Sequence, residues 1–532
     1  MTTTIADGVH VAGTLARAGM LRPSRPDRTL RALVGLHRFG PSLAAGYLGA
    51  AARYPGAPAL IDELGTESFA EIDAHANAQA RGFAARGLSE GDTVAIMCRN
   101  HRWFVEASLA CSKLGLHAVY LNTGFAAPQV SEVVAREDVS GVIYDQEFAD
   151  AVAEACDGRV ALQAWQENPD QRSHAALAEL LAAHVDDPLP APAQAGRAII
   201  LTSGTTGTPK GANRPSPSSL SPVAAILSVI PLRARETTLI AAPLFHAWGY
   251  AHMLLGAALG STLVLRRHFR PADTLSQISE HHASALIVVP VMLQRILDLG
   301  AEAIAEYDTS SLRVIAASGS ALPGPLAQRV MDALGDTLYN LYGSTEVAWA
   351  SIATPEDLRA APGTAGRPPR GTAVKILGPD GHDLPAGERG RIFVGSEMLF
   401  EGYTGGGDKD RYGALMSTGD MGHFDAGGRL FVDGRDDDMI VSGGENVFPS
   451  EVEDLLAGFP GVREVAVHGV IDEEFGQRLR AVVVPEPGAE LSEDELQDYV
   501  RSNLARYKVP REVAFVSELP RNATGKILKR AL

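Results

Sequence analysis

Between Ala57 and Tyr144 the sequence alternates two hydrophobic rhythms, and this alternation limits the fold more than any other feature. Asp73 to Arg86 carries a helical period, Gly87 to Gly91 is a turn, and Thr93 to Cys98 is an apolar run of strand length. A second helix is read over Trp103 to Leu114 and a strand over Ala118 to Leu121. Such alternation predicts an α/β domain with a largely parallel sheet. Further strands are expected at Ala198 to Leu201, Thr262 to Leu265, Ala285 to Val289 and Val314 to Ala317.

From Gly366 the turns crowd together. Short strands at Val374 to Leu377, Arg391 to Val394 and Leu430 to Val432 predict a β-rich subdomain. A boundary is expected at Gly434 to Asp438. Beyond it follow a helix over Ser450 to Leu456, strands over Val462 to Val470 and Arg478 to Val484, and a helix from Glu493 with Ser492 and Glu495 spaced as a capping box. The expected fold class is therefore α/β: a large N-terminal domain of α/β sheets plus the β-rich subdomain over 1–434, a hinge at 435–438, and a small mobile C-terminal α+β domain over 439–532.

A chain of 532 residues with 45% hydrophobic content suits several packed domains. The 64 acidic against 47 basic residues, net -17, repel a phosphate backbone and argue against general nucleic-acid binding. Cys98, Cys111 and Cys156 share no CxxC spacing, which fits a reducing compartment without disulfides or structural zinc. With neither a membrane-length apolar run nor a signal-peptide pattern, the expected location is cytoplasmic.

The first 50 residues form a basic amphipathic arm. Six arginines between Arg17 and Arg38 face one acid, Asp27, and alternate with Leu15, Leu21, Leu30, Leu33, Val34 and Leu36. Because Pro23 and Pro26 interrupt the pattern, the favoured expectation is an apolar stripe packed on its own domain. Peripheral membrane contact at the inner face is the alternative.

Thr202-Ser203-Gly204-Thr205-Thr206-Gly207-Thr208-Pro209-Lys210-Gly211 directly follows an apolar strand. Glycines admit an anion close to the backbone, hydroxyls donate, and Lys210 brings charge, so the segment is built as a phosphate cradle. Pro209 and Gly211 flank the lysine, so it is not a Walker loop. The segment resembles the phosphate-binding loop of the adenylate-forming superfamily of acyl-CoA synthetases, peptide-synthetase adenylation domains and luciferases. Tyr342-Gly343-Ser344-Thr345-Glu346, Ser417-Thr418-Gly419-Asp420, Gly434-Arg435-Asp436-Asp437 and Pro520-Arg521-Asn522-Ala523-Thr524-Gly525-Lys526 resemble its remaining motifs, in the family order. The resemblance covers the chain after about residue 50 and is strongest to a bacterial fatty-acyl-CoA synthetase.

The resemblance implies the chemistry and the residues. ATP activates a carboxylate as acyl-AMP, and a thiol then displaces AMP. It assigns Mg²⁺ to Glu346 and Thr205, the α-phosphate to Thr345, adenine to Tyr342, the ribose hydroxyls to Asp420 with Arg435, and the bridging charge of adenylation to Lys526. Thr202, Ser203, Gly204, Thr206, Gly207, Lys210, Ser320, Asn340 and Gly343 complete the implied nucleotide site. Asp437 is the implied hinge, and Ser442, Gly443 and Gly444 the implied pantetheine path. The Pro243 to Gly249 segment resembles the acyl-pocket motif. His246 stands where amino-acid-activating relatives carry an aspartate, which implies an acid without an α-amino group. Trp248, Gly249, Ser318 and Gly319 are the other implied pocket residues.

Two patterns are rejected. Gly87-Leu88-Ser89-Glu90-Gly91 matches GxSxG but lies between a helix and a strand in the wrong order for a hydrolase elbow. His281 and His282 are adjacent and point to different sides of a helix. The expectation is a stand-alone ATP-dependent fatty-acid:CoA ligase using ATP, Mg²⁺ and CoA. An aryl-acid CoA ligase, an acyl-AMP ligase serving a carrier protein, and a silent acyl- or nucleotide-binding protein are the alternatives. The reading leaves room for a homodimer.

Overall fold

The computed structural model describes residues 5–171, 173–202, 210–213, 219–404, 406–436, 440–442, 445–472 and 476–532. It resolves into two compact units: Met1–Val288 with Leu299–Ala316 and Glu397–Asp408, and Val289–Asp298 with Ala317–Ser396 and Lys409–Leu532.

The first unit holds two sheets that are mostly parallel. One has the order Ala175–Ala176, Val160–Gln163, Val139–Tyr144, Thr93–Met97, His117–Tyr120, Ala198–Thr202, Lys210–Ala212. Only its last pair is antiparallel. Val94, Ala95, Ile96 and Met97 are all fully buried, as a strand covered on both faces requires. Thr237–Ile240 lies between Ala285–Val288 and Thr262–Leu265 in the other sheet, and Pro58–Asp62 pairs beyond the latter, all in parallel.

The first predicted helix runs over Phe69–Ala85, beginning four residues before the expected start. The Ser68 hydroxyl accepts from Glu71 N–H, and the Glu71 carboxylate accepts from Ser68 N–H at 2.7 Å, so the cap rather than the apolar period sets the start. Ser89 lies in the turn before Thr93–Met97, bonded to Asp92.

The arm departs from its favoured expectation. Helix Pro26–Phe39 packs Gly35 and Phe39 inward, yet Leu30, Leu33, Val34 and Leu36 remain exposed. The helix has two apolar faces, and its domain covers only one.

In the second unit Ala373–Leu377, Gly390–Gly395, Leu415–Phe424 and Arg411–Tyr412 form an antiparallel sheet, with Leu430–Arg435 on Leu415–Phe424. This is the β-rich region expected after Gly366. The C-terminal sheet has the order Glu445–Val447, Ile440–Ser442, Gly476–Pro485, Val462–Asp472, with Glu512–Phe515 added in parallel. Helices Pro449–Ala457 and Glu493–Asn503 close its core through Val452, Leu456, Leu496 and Val500. The Ser492–Glu495 capping box is formed. The β-rich sheet and the C-terminal sheet fall within one unit.

Candidate active site

Several motif residues converge within the second unit. Tyr342 ends the strand Leu338–Tyr342, and Asp420 lies on Leu415–Phe424. The Tyr342 hydroxyl donates to Asp420 Oδ2 at 2.6 Å. Asp420 and Arg435 are cross-strand partners, which sets Arg435 Nε 3.8 Å from Asp420 Oδ1. Burial raises the Asp420 carboxyl above its ordinary range; the Tyr342 hydrogen bond and then Arg435, Lys526 and Lys409 pull it back. Tyr342 is pushed well above its usual value, first by burial and then by the Asp420 charge. Two motifs 78 residues apart thus form one half-buried acceptor with cations around it.

Lys409 has no counterpart in the sequence reading. Its Nζ lies 3.3 Å from where a Gly419 Cβ would be, with Arg435 Nη2 at 3.5 Å. Gly419 has φ +82°, so it supplies both the turn and the room for two cations. No local pattern around Lys409 marks it beforehand.

The C-terminal lysine loop is organised by Asn522. Its Oδ1 accepts from Thr524 N–H at 3.0 Å, Thr524 Oγ1 at 2.7 Å and Lys526 N–H at 2.9 Å. Gly525 has φ +83°, and a Cβ there would lie 2.7 Å from Val291 and 3.2 Å from Val289. The loop therefore seats against Val289 and Val291 only because residue 525 is glycine.

Gly343 is as confined: a Cβ would meet the Ala348 carbonyl oxygen at 2.2 Å. The loop folds back so that Ala350 N–H donates to Tyr342 O at 2.8 Å. Within it Glu346 is buried, Thr345 is half-buried, and the Ser344 hydroxyl accepts from Glu346 N–H at 3.3 Å. Asn340 is buried on the same strand. Ser318 is buried, Gly319 takes φ +95°, and Ser320 is half-buried.

In the first unit, Ala198–Thr202 and Lys210–Ala212 pair antiparallel with Thr202 opposite Lys210. Lys210 Nζ lies 5.1 Å from the Tyr403 ring centroid, within cation–π range. Gly211 O accepts from Thr404 N–H, and Thr404 Oγ1 donates to the buried Glu137 at 2.6 Å, so 401–404 brace the lysine strand. Ser203, Gly204, Thr205, Thr206, Gly207, Asp437, Gly443 and Gly444 lie outside the described residues. Thr202 and Ser442 are described only by their strands.

His246 caps helix Ala247–Leu259, its ring accepting from Trp248 N–H at 3.5 Å. Asn100, another residue without a sequence signal, holds the approach: it donates to Ile240 O and Ala242 O and accepts from Leu244 N–H. Gly249 is dictated by the Pro243 carbonyl, 2.3 Å from an added Cβ. Trp248 is buried and donates to Val288 O at 3.1 Å. Burial pushes both His246 and His252 down to about 4, leaving them neutral at pH 7.

Glu346 offers the buried carboxylate a hard cation such as Mg²⁺ takes, and it fits that role chemically. Among the described residues, two other groups of side chains that could hold a metal ion lie elsewhere, Cys98–His101–Asp145 and Glu67–His75–Glu106. Asp145 is already bonded to Arg99 N–H at 2.8 Å, Trp165 N–H at 3.2 Å and His101 at 2.9 Å. Glu67 already pairs with Arg102 at 2.7 Å and Glu106 with His75 at 3.0 Å.

Comparison with known proteins matches residues 49–404 to the AMP-binding enzyme family and 451–526 to the AMP-binding enzyme C-terminal domain. A feruloyl-CoA synthase of Amycolatopsis sp is 35% identical over 474 residues, 87% of this chain and 92% of that protein. A long-chain-fatty-acid–CoA ligase of Mycobacterium tuberculosis is 33% identical, with the same 87% and 92% coverage. The solved structure of o-succinylbenzoate CoA synthetase from Bacillus subtilis with its acyl-adenylate intermediate superposes with TM-score 0.79 at 28% identity, covering 91% of this chain and 97% of that one. The motif order, the fold and these matches agree: the chain belongs to the AMP-binding enzyme family, as an adenylate-forming enzyme of the acid–thiol ligase class.

Proposed function

We propose that the chain is an ATP-dependent fatty-acid:CoA ligase. The carboxylate oxygen attacks the α-phosphorus of ATP, forming the acyl–phosphate bond as the bond to pyrophosphate breaks. The CoA thiol, losing its proton, then forms the C–S bond as the bond between the carbonyl carbon and the AMP phosphate oxygen breaks and AMP leaves with the electron pair. Both substrates are anions, so positioning and charge neutralisation supply most of the catalysis. The observation that carries the reading is the joining of Tyr342, Asp420 and Arg435 with Lys526 close enough to act on the same carboxylate.

In this reading Asp420 and Arg435 hold the ribose, Tyr342 faces adenine, Thr345 holds the α-phosphate, and Lys526 neutralises charge between carboxylate and phosphate. Thr202 to Gly207, Lys210, Ser320, Asn340 and Gly343 are the remaining proposed nucleotide-binding residues. Mg²⁺, held by Glu346 with Thr205, would supply charge neutralisation on the phosphates. Asp437 is the proposed hinge that withdraws the lysine loop before Ser442, Gly443 and Gly444 admit pantetheine.

The acyl side favours an uncharged chain. From Thr237 to Gly260 there is no Asp, Glu, Lys or Arg, and both histidines there are neutral. An ammonium or second carboxylate on the acid would find no counter-charge in this segment. The 35% identity to a feruloyl-CoA synthase supports an aryl acid as the second reading. Pyrophosphate release over acetate, medium and long fatty acids, benzoate and cinnamate, with and without CoA, decides. The fatty-acyl reading expects a maximum at medium or long chains with CoA-stimulated turnover. A maximum at aromatic acids overturns it in favour of the aryl reading, and acyl-AMP that ignores CoA points to a carrier protein as acceptor.

A further inference from the structure

Among the described residues, large apolar side chains left in solvent are scattered singly along most of the chain, but five crowd into Leu21 to Leu36. Leu30, Leu33 and Val34 follow helical spacing and are 62%, 58% and 43% exposed. The opposite face of the same helix carries the packing: a Cβ on Gly35 would lie 2.8 Å from Leu48, and Phe39 is buried. The exposed face is therefore not a loose helix awaiting its own domain, whose contact is already made.

The platform is fixed from below. Arg53 donates to Met20 O at 3.1 Å and Arg22 O at 2.9 Å, Arg28 donates to Arg53 O at 3.0 Å, and Ala234 N–H donates to Ala18 O at 2.7 Å. Around the apolar face, residues 21–40 carry Arg22, Arg25, Arg28, Arg31 and Arg38 against Asp27 alone, a local charge of +4 (five minus one) on a chain of -17. Asp27 bridges Arg25 at 3.1 Å and Arg31 at 3.0 Å.

We infer that this face is a docking surface for an anionic lipid bilayer, Leu30, Leu33 and Val34 entering the acyl boundary and the arginines meeting the headgroups. A rim of one sign on a chain of the opposite overall sign selects a partner by charge, and an anionic bilayer supplies both that charge and an apolar layer beneath it. The inference does not depend on which acid the enzyme activates.

The test is cosedimentation of the full chain with vesicles of phosphatidylcholine alone and of phosphatidylcholine with phosphatidylglycerol. Binding is expected to the anionic vesicles and to fade with added salt. It should weaken by about fivefold or more for Arg38→Glu, which removes one positive charge and adds a negative one. Leu33→Asp should weaken it about tenfold or more, because it places a charge in the acyl boundary. Both variants should keep wild-type ATP–pyrophosphate exchange on a water-soluble acid without lipid, which establishes that they fold. Equal sedimentation of wild type and both variants, or none by wild type, would overturn the inference. So would a wild-type dimer that Leu33→Asp dissociates without any vesicle binding, since the face would then join two copies of the chain.

Discussion

Replacing Gly343 by alanine perturbs the active-site loop with a single methyl group. The added Cβ would lie 2.2 Å from Ala348 O and 2.7 Å from Trp349 Cα, both backbone atoms that no rotamer can move aside. An ordinary carbon–oxygen contact is about 3.3 Å, so the segment must give by about 1 Å. The Tyr342 side is held by the Ala350-to-Tyr342 hydrogen bond, leaving Ser344 to Glu346 to move. A displacement of about 1 Å at groups that position reactants costs about 100-fold in rate. Overpacking of this kind costs about 1–3 kcal/mol of stability, so the variant still folds. The assay is acid-dependent exchange of labelled pyrophosphate into ATP, with Gly56→Ala as control because nothing lies within 4 Å of its Cβ. Exchange within twofold of wild type for Gly343→Ala would refute the positioning role of this loop.

Lys526→Ala removes the proposed bridging charge and should lower adenylation by about 10²–10³-fold. Thioester formation from supplied acyl-AMP should survive, and equal loss in both half-reactions would contradict the assignment. Tyr342→Phe deletes the donor 2.6 Å from Asp420, so the carboxylate should hold its proton more tightly and the acid limb of ATP binding should move to higher pH; an unmoved limb counts against it. His75 is raised to about 10 by hydrogen bonds to Glu106 and then Glu67. A raised histidine gives stability that is full below its unfolded value near 6.5 and lost as pH climbs through 10. Wild-type melting temperature should accordingly fall between pH 7 and pH 10 more than that of His75→Leu, which parallel melting curves would check.

The α/β alternation was legible because strands such as Thr93–Met97 are buried on both faces and so must be apolar throughout. The Ser492–Glu495 cap was legible because its two hydrogen bonds need those side chains three residues apart. The motif residues were legible by type and order, since anionic substrates demand glycine, hydroxyl and cation in fixed places. Their mutual geometry was not: Tyr342 meets Asp420 across 78 residues, and only strand pairing sets Arg435 beside it. Lys409 and Asn100 were invisible, and Asn522 was only one letter of a motif, because each acts through backbone or neighbouring side-chain atoms that only the folded chain assembles. The arm was misjudged for a related reason. Periodicity marks apolar residues but does not say whether one face or two will be covered, and here Gly35 and Leu30 lie on opposite sides of one helix.

Asp420 also links the state of the lysine loop to pH. Burial raises its carboxyl, and ionisation is sustained by Tyr342 and by Arg435, Lys526 and Lys409. Three of these four supports belong to the β-rich region or to Leu338–Tyr342, whereas Lys526 arrives on a loop whose seat depends on Gly525 against Val291 and Val289. If the loop withdraws for thioester formation, one cation leaves a carboxylate whose desolvation stays, and its proton affinity must rise. A raised carboxyl loses its proton only as pH climbs through the higher value, so the ribose acceptor is charged over a narrower range in that state. Adenylation should therefore tolerate acid better than thioester formation from supplied acyl-AMP, its acid limb lying at lower pH. In Lys526→Ala, thioester formation should keep the wild-type limb, because that step proceeds with the lysine already withdrawn. Acid limbs at the same pH for both wild-type half-reactions would mean that Lys526 stays beside Asp420 throughout the cycle, and the proposed movement of the loop would have to be abandoned.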